Sequence, residues 1–340
     1  MKTKIKIFTF PEQLKEGLFG QIFLHLFEVL PYLEKHDIQP AWEIRSPLYG
    51  QPPDRIVIPG LLELNYRIAD DKYEEVNLQV LREKHTATLG NDWDYLNKLW
   101  GKYFCLPERV ISRADDFPGL GHALGLHYRG TDKNTSLGET NFVSPEDFLK
   151  LVADFVASHL DIKTIFIATD EVGFAERIQS QHASLRVLNS GRVVHHKDLT
   201  EDNHLGKGEH ALLDCLLLSR CKYLLKCQSA LSGFAKILNP KIEAYRISSN
   251  KIFFWDIPYF PDAHLPKLTS QNPQCQMILA RLFAGDWTHN KAARKKYGRT
   301  FKYQKRKGYM RKNGPISPWS FDGLQMRFDI YLNRMRSLRC

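Results

Sequence analysis

Short apolar stretches with a period of two are interleaved along this chain with longer stretches in which apolar residues recur every three or four positions. Lys4–Phe10 alternates and is rich in β-branched and aromatic residues, and Gly17-Leu18-Phe19-Gly20-Gln21 then leads into an apolar-periodic stretch that reaches Leu33. This pattern predicts a strand, a glycine turn and a helix. Arg55–Ile58 predicts a further short strand, and Asp92–Phe104 a helix with Trp93, Leu96, Leu99 and Trp100 on one face. The stretch Leu106–Gly121 carries two prolines and two glycines and is the expected linker.

Beyond it the rhythm is regular. Ala123–Tyr128, Thr164–Thr169, Leu185–Leu188, Tyr223–Lys226 and Glu243–Ile247 read as strands. Between them, Ser144–His159, a stretch from about Val172, Glu209–Ser219 and Ser229–Leu238 read as helices. Ser144 followed by Pro145, Glu146 and Asp147 is a helix start, with a capping hydroxyl, a proline at the first helical position and acids favoured by the helix dipole. Strands alternating with helices in this way predict an α/β fold with a parallel sheet and right-handed crossovers, whose ligands gather at the carboxyl ends of the strands.

The length of 340 residues suits two lobes, read here as 1–118, 119–262 and a C-terminal extension over 263–340. No run approaches the roughly 18 apolar residues of a membrane span, and the six cysteines accompany no secretory signal, so a cytoplasmic setting is expected. Cys215, Cys221 and Cys227 lie among leucines, which points to burial rather than to a zinc site. The net charge of +10 comes from one segment, 291–312, which holds eleven Lys/Arg and no acid, with Tyr297, Phe301, Tyr303 and Tyr309 interleaved. Such a segment suits an anionic membrane or polymer, or it is a solvated tail.

Three segments carry candidate chemistry. In Leu124–Lys133 an apolar strand runs directly into His127, Arg129, Asp132 and Lys133, at the strand end where a ligand sits. The planar fork of Arg129 suits a diphosphate, with Asp132 to orient it and Lys133 to add charge. Thr164–Glu171 ends similarly in Thr169, Asp170 and Glu171, and Asp170 is expected either to accept from sugar hydroxyls or to cap the next helix. In the third segment Asp214 lies among leucines, where a carboxylate can read the N1–H and N2–H₂ of guanine. Ser229 and Ser232 follow at a strand-to-helix junction suited to phosphate, with a simple N-cap as the other reading of Ser229. The Gly17, Gly20, Gln21 turn offers backbone N–H groups at a helix start, or only close packing.

Together these motifs resemble the fucosyltransferase superfamily that includes the α1,6-fucosyltransferases of nodulation and N-glycan core type and the protein O-fucosyltransferases. His127-x-Arg129-x-x-Asp132-Lys133, continuing through Glu139, Phe142, Ser144, Pro145 and Glu146, resembles its first motif. Ala168-Thr169-Asp170-Glu171 resembles the second, and Asp214 with Ser229 the third. The resemblance spans roughly Gly121–Leu238. It implies a GT-B architecture of two facing Rossmann-like domains with parallel sheets, a GDP-fucose donor held mainly by the second, a glycan acceptor on the first, and inverting transfer without cofactor or metal. No Asp-x-Asp is placed to hold a metal and diphosphate, so Arg129 and Lys133 are expected to neutralise the leaving GDP. Glu139 is the first choice of base, with Asp132 or Lys133 positioning it or relaying the proton. The chain departs from the motif at Gly130, where the superfamily commonly has a second arginine, and in a longer spacing to Glu139.

Two alternatives stand beside this reading. The same fold can use another nucleotide sugar. The chain can instead be a non-enzymatic nucleic-acid or anionic-surface binder acting through 291–312, and in the transferase reading that segment supplies peripheral contact with a membrane or polymer. Trp42, Trp93, Trp100, Trp255 and Trp287 are candidates either for sugar stacking or for the core.

Overall fold

The computed structural model describes residues 3–14, 17–67, 73–87, 89, 92–130, 143–191, 204–248 and 265–269. The first part of the chain forms β1 (Thr3–Phe8), a π-helical turn (Leu18–Phe23) continuing into α1 (Leu24–Lys35), β2 (Ile38–Arg45), β3 (Ile56–Ile58), β4 (Glu63–Leu64), β5 (Glu74–Asn77), α2 (Leu78–His85), α3 (Trp93–Tyr103), β6 (Phe104–Cys105) and α4 (Glu108–Asp115). The second part forms β7 (Ala123–Tyr128), α5 (Pro145–Ser158), β8 (Thr164–Thr169), α6 (Phe174–Gln181), β9 (Arg186–Asn189), α7 (His204–Ser219), β10 (Tyr223–Lys226), α8 (Ala230–Leu238), β11 (Glu243–Ser248) and β12 (Lys267–Thr269).

Two main sheets result. The first has four strands in the order β3-β2-β1-β5, with β2, β1 and β5 parallel and β3 antiparallel at one edge. The second has six parallel strands in the order β12-β11-β10-β7-β8-β9. The expected α/β class is therefore observed, with one antiparallel strand in the first sheet. In the second sheet the chain runs outward from β7 to β9, then returns to the other side of β7 and runs outward again through β10, β11 and β12. That reversal puts a topological switch point between β7 and β10, and the strands' carboxyl ends open a crevice there. Every residue of β7 is buried, as suits a central parallel strand covered on both faces. The helix start expected at Ser144 is present, with the Ser144 hydroxyl accepting the Asp147 N–H at 3.1 Å.

Of two hydrophobic clusters among the described residues, one runs through both parts and the other, around Tyr128, Phe148 and Phe174, belongs to the second. Phe19 and Phe23 of the π-helical turn, Phe27 of α1 and Trp100 of α3 all surround Phe234 of α8, with ring centroids 5.1–6.2 Å apart. Trp42 is also in the core and donates its indole N–H to the Tyr66 hydroxyl at 2.9 Å. Burial thus gives Trp42 and Trp100 structural roles, Trp93 lies under the Lys236 ammonium at 5.8 Å, and Trp255 and Trp287 lie outside the described residues.

The expected linker Leu106–Gly121 is not an open connection. It contains α4, which starts after Pro107 and buries Val110 and Ala114, one turn apart, against α7. The prolines and glycines flank this helix instead of interrupting it. Strand β12 falls in the segment read as an extension and joins the second sheet beside β11. The basic segment 291–312 lies outside the described residues.

Candidate functional site

The switch point concentrates positive charge. His127 lies one residue before the end of β7, Lys226 closes β10 and Arg246 lies in β11; the strand register places the three side by side, and all are buried. A row of basic groups out of water favours the neutral form of its weakest base. The His127 imidazole is held well below its usual pKa, by burial first and then by the Lys226 and Arg129 cations. Its Nδ1 lies 2.7 Å from the Ser232 hydroxyl of α8, which fixes the ring against that helix.

Arg129 follows directly after β7 and is steered by β8. The Asp170 carboxylate lies 3.5 Å from the Arg129 Nε through one oxygen and accepts the Gly130 N–H at 3.0 Å through the other. Asp170 therefore orients the guanidinium, the role that sequence reasoning gave to Asp132. The Thr169 hydroxyl accepts the Glu171 N–H at 3.1 Å, a local turn that shapes the end of β8.

The N-terminus of α8 and the π-helical turn lie beside this row. Ser229 takes the N-cap position of α8 without a side-chain capping bond, so the first-turn N–H groups of that helix are not closed by its hydroxyl. The π-helical turn packs on the same helix end, where a Cβ added to Gly20 would lie 3.9 Å from the Ala230 Cβ. The turn closes with the Gln21 N–H donating to the Gly17 carbonyl at 2.9 Å. Tyr49, which follows β2, brings the first sheet to the site. Its hydroxyl takes a hydrogen bond from the Leu18 backbone and sits within the field of Arg129, while burial pushes its pKa up to about 12. The buried Lys207 of α7 lies 5.4 Å from the Tyr49 ring centroid.

A second polar cluster lies where β9 meets α7. His210 Nε2 is 2.9 Å from the Ser190 hydroxyl, and Ser190 in turn interacts with the Asp214 carboxyl one helical turn along α7. Asp214 is buried and its Oδ1 has no hydrogen-bond partner. Burial raises its pKa to about 7, against smaller opposing effects of Ser190 and of Arg113 from α4. A buried acceptor with a spare lone pair suits a donor-rich edge such as that of guanine.

Of the residues singled out from sequence, His127, Arg129, Asp170, Ser229, Ser232 and the Gly17–Gln21 turn come together at the switch point, with Thr169 shaping the loop beside them. Asp214 belongs to the neighbouring cluster. Asp132, Lys133 and Glu139 lie outside the described residues. Sequence reasoning missed Tyr49, Ser190, Lys207, His210 and Lys226. A lysine that ends the apolar run Tyr223–Leu225 was a readable signal for Lys226, since a central parallel strand rarely ends in an unneeded charge. Tyr49 and Ser190 sit in loops without any periodic pattern.

The Asp-x-Asp of the chain, Asp92-Trp93-Asp94, serves a helix. Asp92 caps α3 by accepting the Tyr95 N–H at 3.0 Å, and α3 binds the far end of α8 through Asn97, whose amide donates to the Ile237 carbonyl at 2.8 Å. Cys215, Cys221 and Cys227 are buried, and burial raises all three thiols above their usual pKa.

No protein-family model and no curated protein sequence matches the chain. Solved structures do align with it. Fucosyltransferase NodZ from Bradyrhizobium matches with a TM-score of 0.45 and 16% identity over 71% of this chain and 94% of its own. POFUT1 in complex with GDP matches at 0.44 and 11% identity, over 79% and 99%. Arabidopsis thaliana FUT1 in complex with GDP matches at 0.44 and 10% identity, over 74% and 71%.

Proposed function

We propose that this chain is a glycosyltransferase that moves fucose from GDP-fucose to a glycan hydroxyl, with inversion and without a metal ion. The observation that carries the reading is Arg129, held by Asp170 at the switch point of the second sheet, beside the N-terminus of α8 and opposite the π-helical turn of the first part. A guanidinium fork, a helix N-terminus and a buried basic row form a preorganised receptor for a diphosphate, and such a receptor is worth most where negative charge grows as the leaving group departs. Lys133, from the same motif, adds to that charge.

Asp214 selects the base. Its carboxylate accepts the N1–H and N2–H₂ edge of guanine, and Ser190 and His210 steady it. The diphosphate then spans from Ser229 at the head of α8 to Arg129, and the sugar lies under the Gly17–Gln21 turn and Tyr49. The acceptor approaches from the side of the first sheet.

The test is calorimetric and thermal-shift binding of GDP, GDP-fucose, GDP-mannose and UDP-sugars, each with and without magnesium, repeated on Arg129→Ala. Metal-independent GDP binding that the variant loses is the expected result. If no nucleotide binds, the reading fails, and the basic segment 291–312 becomes the working part, to be tested by salt-dependent binding to RNA and anionic vesicles.

A further inference from the structure

A glycine turn delivers Ser190 to α7. Ser190 follows β9 directly, and the Asn189 side chain accepts the Gly191 N–H across it at 2.8 Å. Gly191 has φ +81°, a left-handed conformation that other residues seldom adopt, so this turn calls for a glycine. The hydroxyl that the turn presents lies 2.9 Å from His210 Nε2 and bonds the Asp214 carboxyl. His210 and Asp214 stand four residues apart on α7 and so share one face of it. The next residue, Cys215, donates its thiol to the Leu231 carbonyl at 3.4 Å, which sets this turn of α7 against the first turn of α8.

A hydroxyl has one proton, and that fixes the direction of these bonds. With Asp214 ionised, the Ser190 O–H donates to the carboxylate, and the serine oxygen accepts the His210 Nε2–H. The Asp214 Oδ1 has no hydrogen-bond partner among the described residues, so the bond from Ser190 falls on the other oxygen and Oδ1 stays open. Burial favours the protonated carboxyl, which would lose this acceptor; the bond from Ser190 and the charge of Arg113 on α4 oppose the change.

We propose that Ser190 and His210 determine the base specificity of the nucleotide site by holding Asp214 as an ionised acceptor, turned so that it reads the N2 amino group of guanine. This role rests on the transferase reading and deepens it. Both residues act through Asp214 and are positioning residues, and neither belongs to the motifs that carry the family resemblance. Guanine offers an N1–H and an N2–H₂ on one edge, whereas hypoxanthine offers the N1–H alone. Oδ1 takes one donor of guanine, and the second lone pair of the oxygen bonded by Ser190 takes the other. A carboxyl that rotates or takes up a proton keeps at most one of these bonds, and with it loses the means to tell the two bases apart.

The experiment measures the calorimetric affinity of the full chain for GDP and for inosine diphosphate, which differs from GDP only in lacking the N2 amino group. It compares the unsubstituted chain with Ser190→Ala, His210→Leu and His210→Gln, and records the melting temperature of each. The unsubstituted chain should prefer GDP by about 10- to 100-fold, the value of a hydrogen bond to a charged acceptor. Ser190→Ala and His210→Leu should lower that preference by about 10-fold, chiefly by weakening GDP. His210→Gln, whose amide can donate from the place of the Nε2–H, should retain it, a distinction from His210→Leu that a mere packing role would not produce. The proposal is overturned if Ser190→Ala and His210→Leu keep the preference, or if His210→Gln loses it as fully as His210→Leu does. It is overturned alone if the unsubstituted chain binds both nucleotides equally well. If that chain binds neither, the transferase reading fails, and this role with it.

Discussion

The two sheets share a topology and differ in how their carboxyl edges are finished. Each runs outward on one side of its first strand and returns on the other, so each has a switch point, between β1 and β5 in the first sheet and between β7 and β10 in the second. At the first, polar groups satisfy one another. The Thr9 hydroxyl donates to the Arg45 carbonyl at 3.2 Å and accepts the Arg45 N–H at 2.8 Å. Gln13 and Asn77 exchange amide hydrogen bonds at 3.2 and 3.0 Å, and Glu43 binds both Lys6 and Arg45. Arg45 Nε is the exception, buried without a partner. At the second switch point the basic side chains of His127, Lys226 and Arg246 are gathered into one buried row, and in the cluster beside it the Asp214 Oδ1 is left without a hydrogen-bond partner among the described residues. The same arrangement of strands thus ends in paired polar groups in one sheet and in gathered, partly unpaired ones in the other, and the second is where a ligand is to be sought.

Substitutions can break or sharpen that contrast. The largest effect on stability is expected from Phe234→Ala, which empties the aromatic cluster joining the two sheets; a loss of about 3–5 kcal/mol should appear in denaturant unfolding. Arg129→Ala should remove about 10²–10³-fold of kcat, some 3–4 kcal/mol of transition-state stabilisation, with little change in melting temperature. Asp214→Asn should weaken GDP by about 10- to 100-fold, the value of hydrogen bonds to a charged acceptor, read by calorimetry.

Asp214 also predicts two pH dependences of opposite sign. Its pKa of about 7 in the folded chain lies above the unfolded value, so the folded state holds the proton more tightly. Its contribution to stability is complete below the unfolded pKa and is lost as pH rises through 7. Affinity for GDP, which requires the carboxylate, should instead increase over the same interval. Asp214→Asn should flatten both curves. The smallest effect is expected from Tyr49→Phe in the first part, which removes the acceptor for the Leu18 N–H and should cost about 1 kcal/mol in melting and little in kcat.

The second sheet was more legible in the sequence than the first. Its central strands are buried on both faces and appear as short apolar runs between helices, so β7, β8 and β10 fall where the pattern puts them, and the charges that follow β7 mark the crevice. Strand β2 was obscured by Pro40 among Gln39 and Glu43, although the Tyr66 hydroxyl donates to the Pro40 carbonyl at 2.7 Å and helps hold the strand in the sheet. Helix α4 was hidden by its flanking prolines and glycines. Within the site, Arg129 and Asp170 could be named from sequence because they end apolar strands. Their division of labour could not, because which carboxylate orients which cation is decided by register across strands more than forty residues apart. Gly130 could be seen as a departure from a motif, but not that a Cβ there would lie 2.8 Å from the Cε1 of the buried Tyr128, a contact no linear pattern encodes.

Phe234 belongs to a helix of the second sheet, yet its neighbours Phe19, Phe23, Phe27 and Trp100 come from the other end of the chain. A gene fragment that encodes either half alone would therefore leave a ring of unmatched aromatic surface facing water, and its product would tend to clump rather than fold. For the same reason an exchange of halves between distant relatives would succeed only if both sides of this ring were exchanged together. Helix α8 and the turn that packs on it are thus inherited as one unit, although about two hundred residues separate them in the chain.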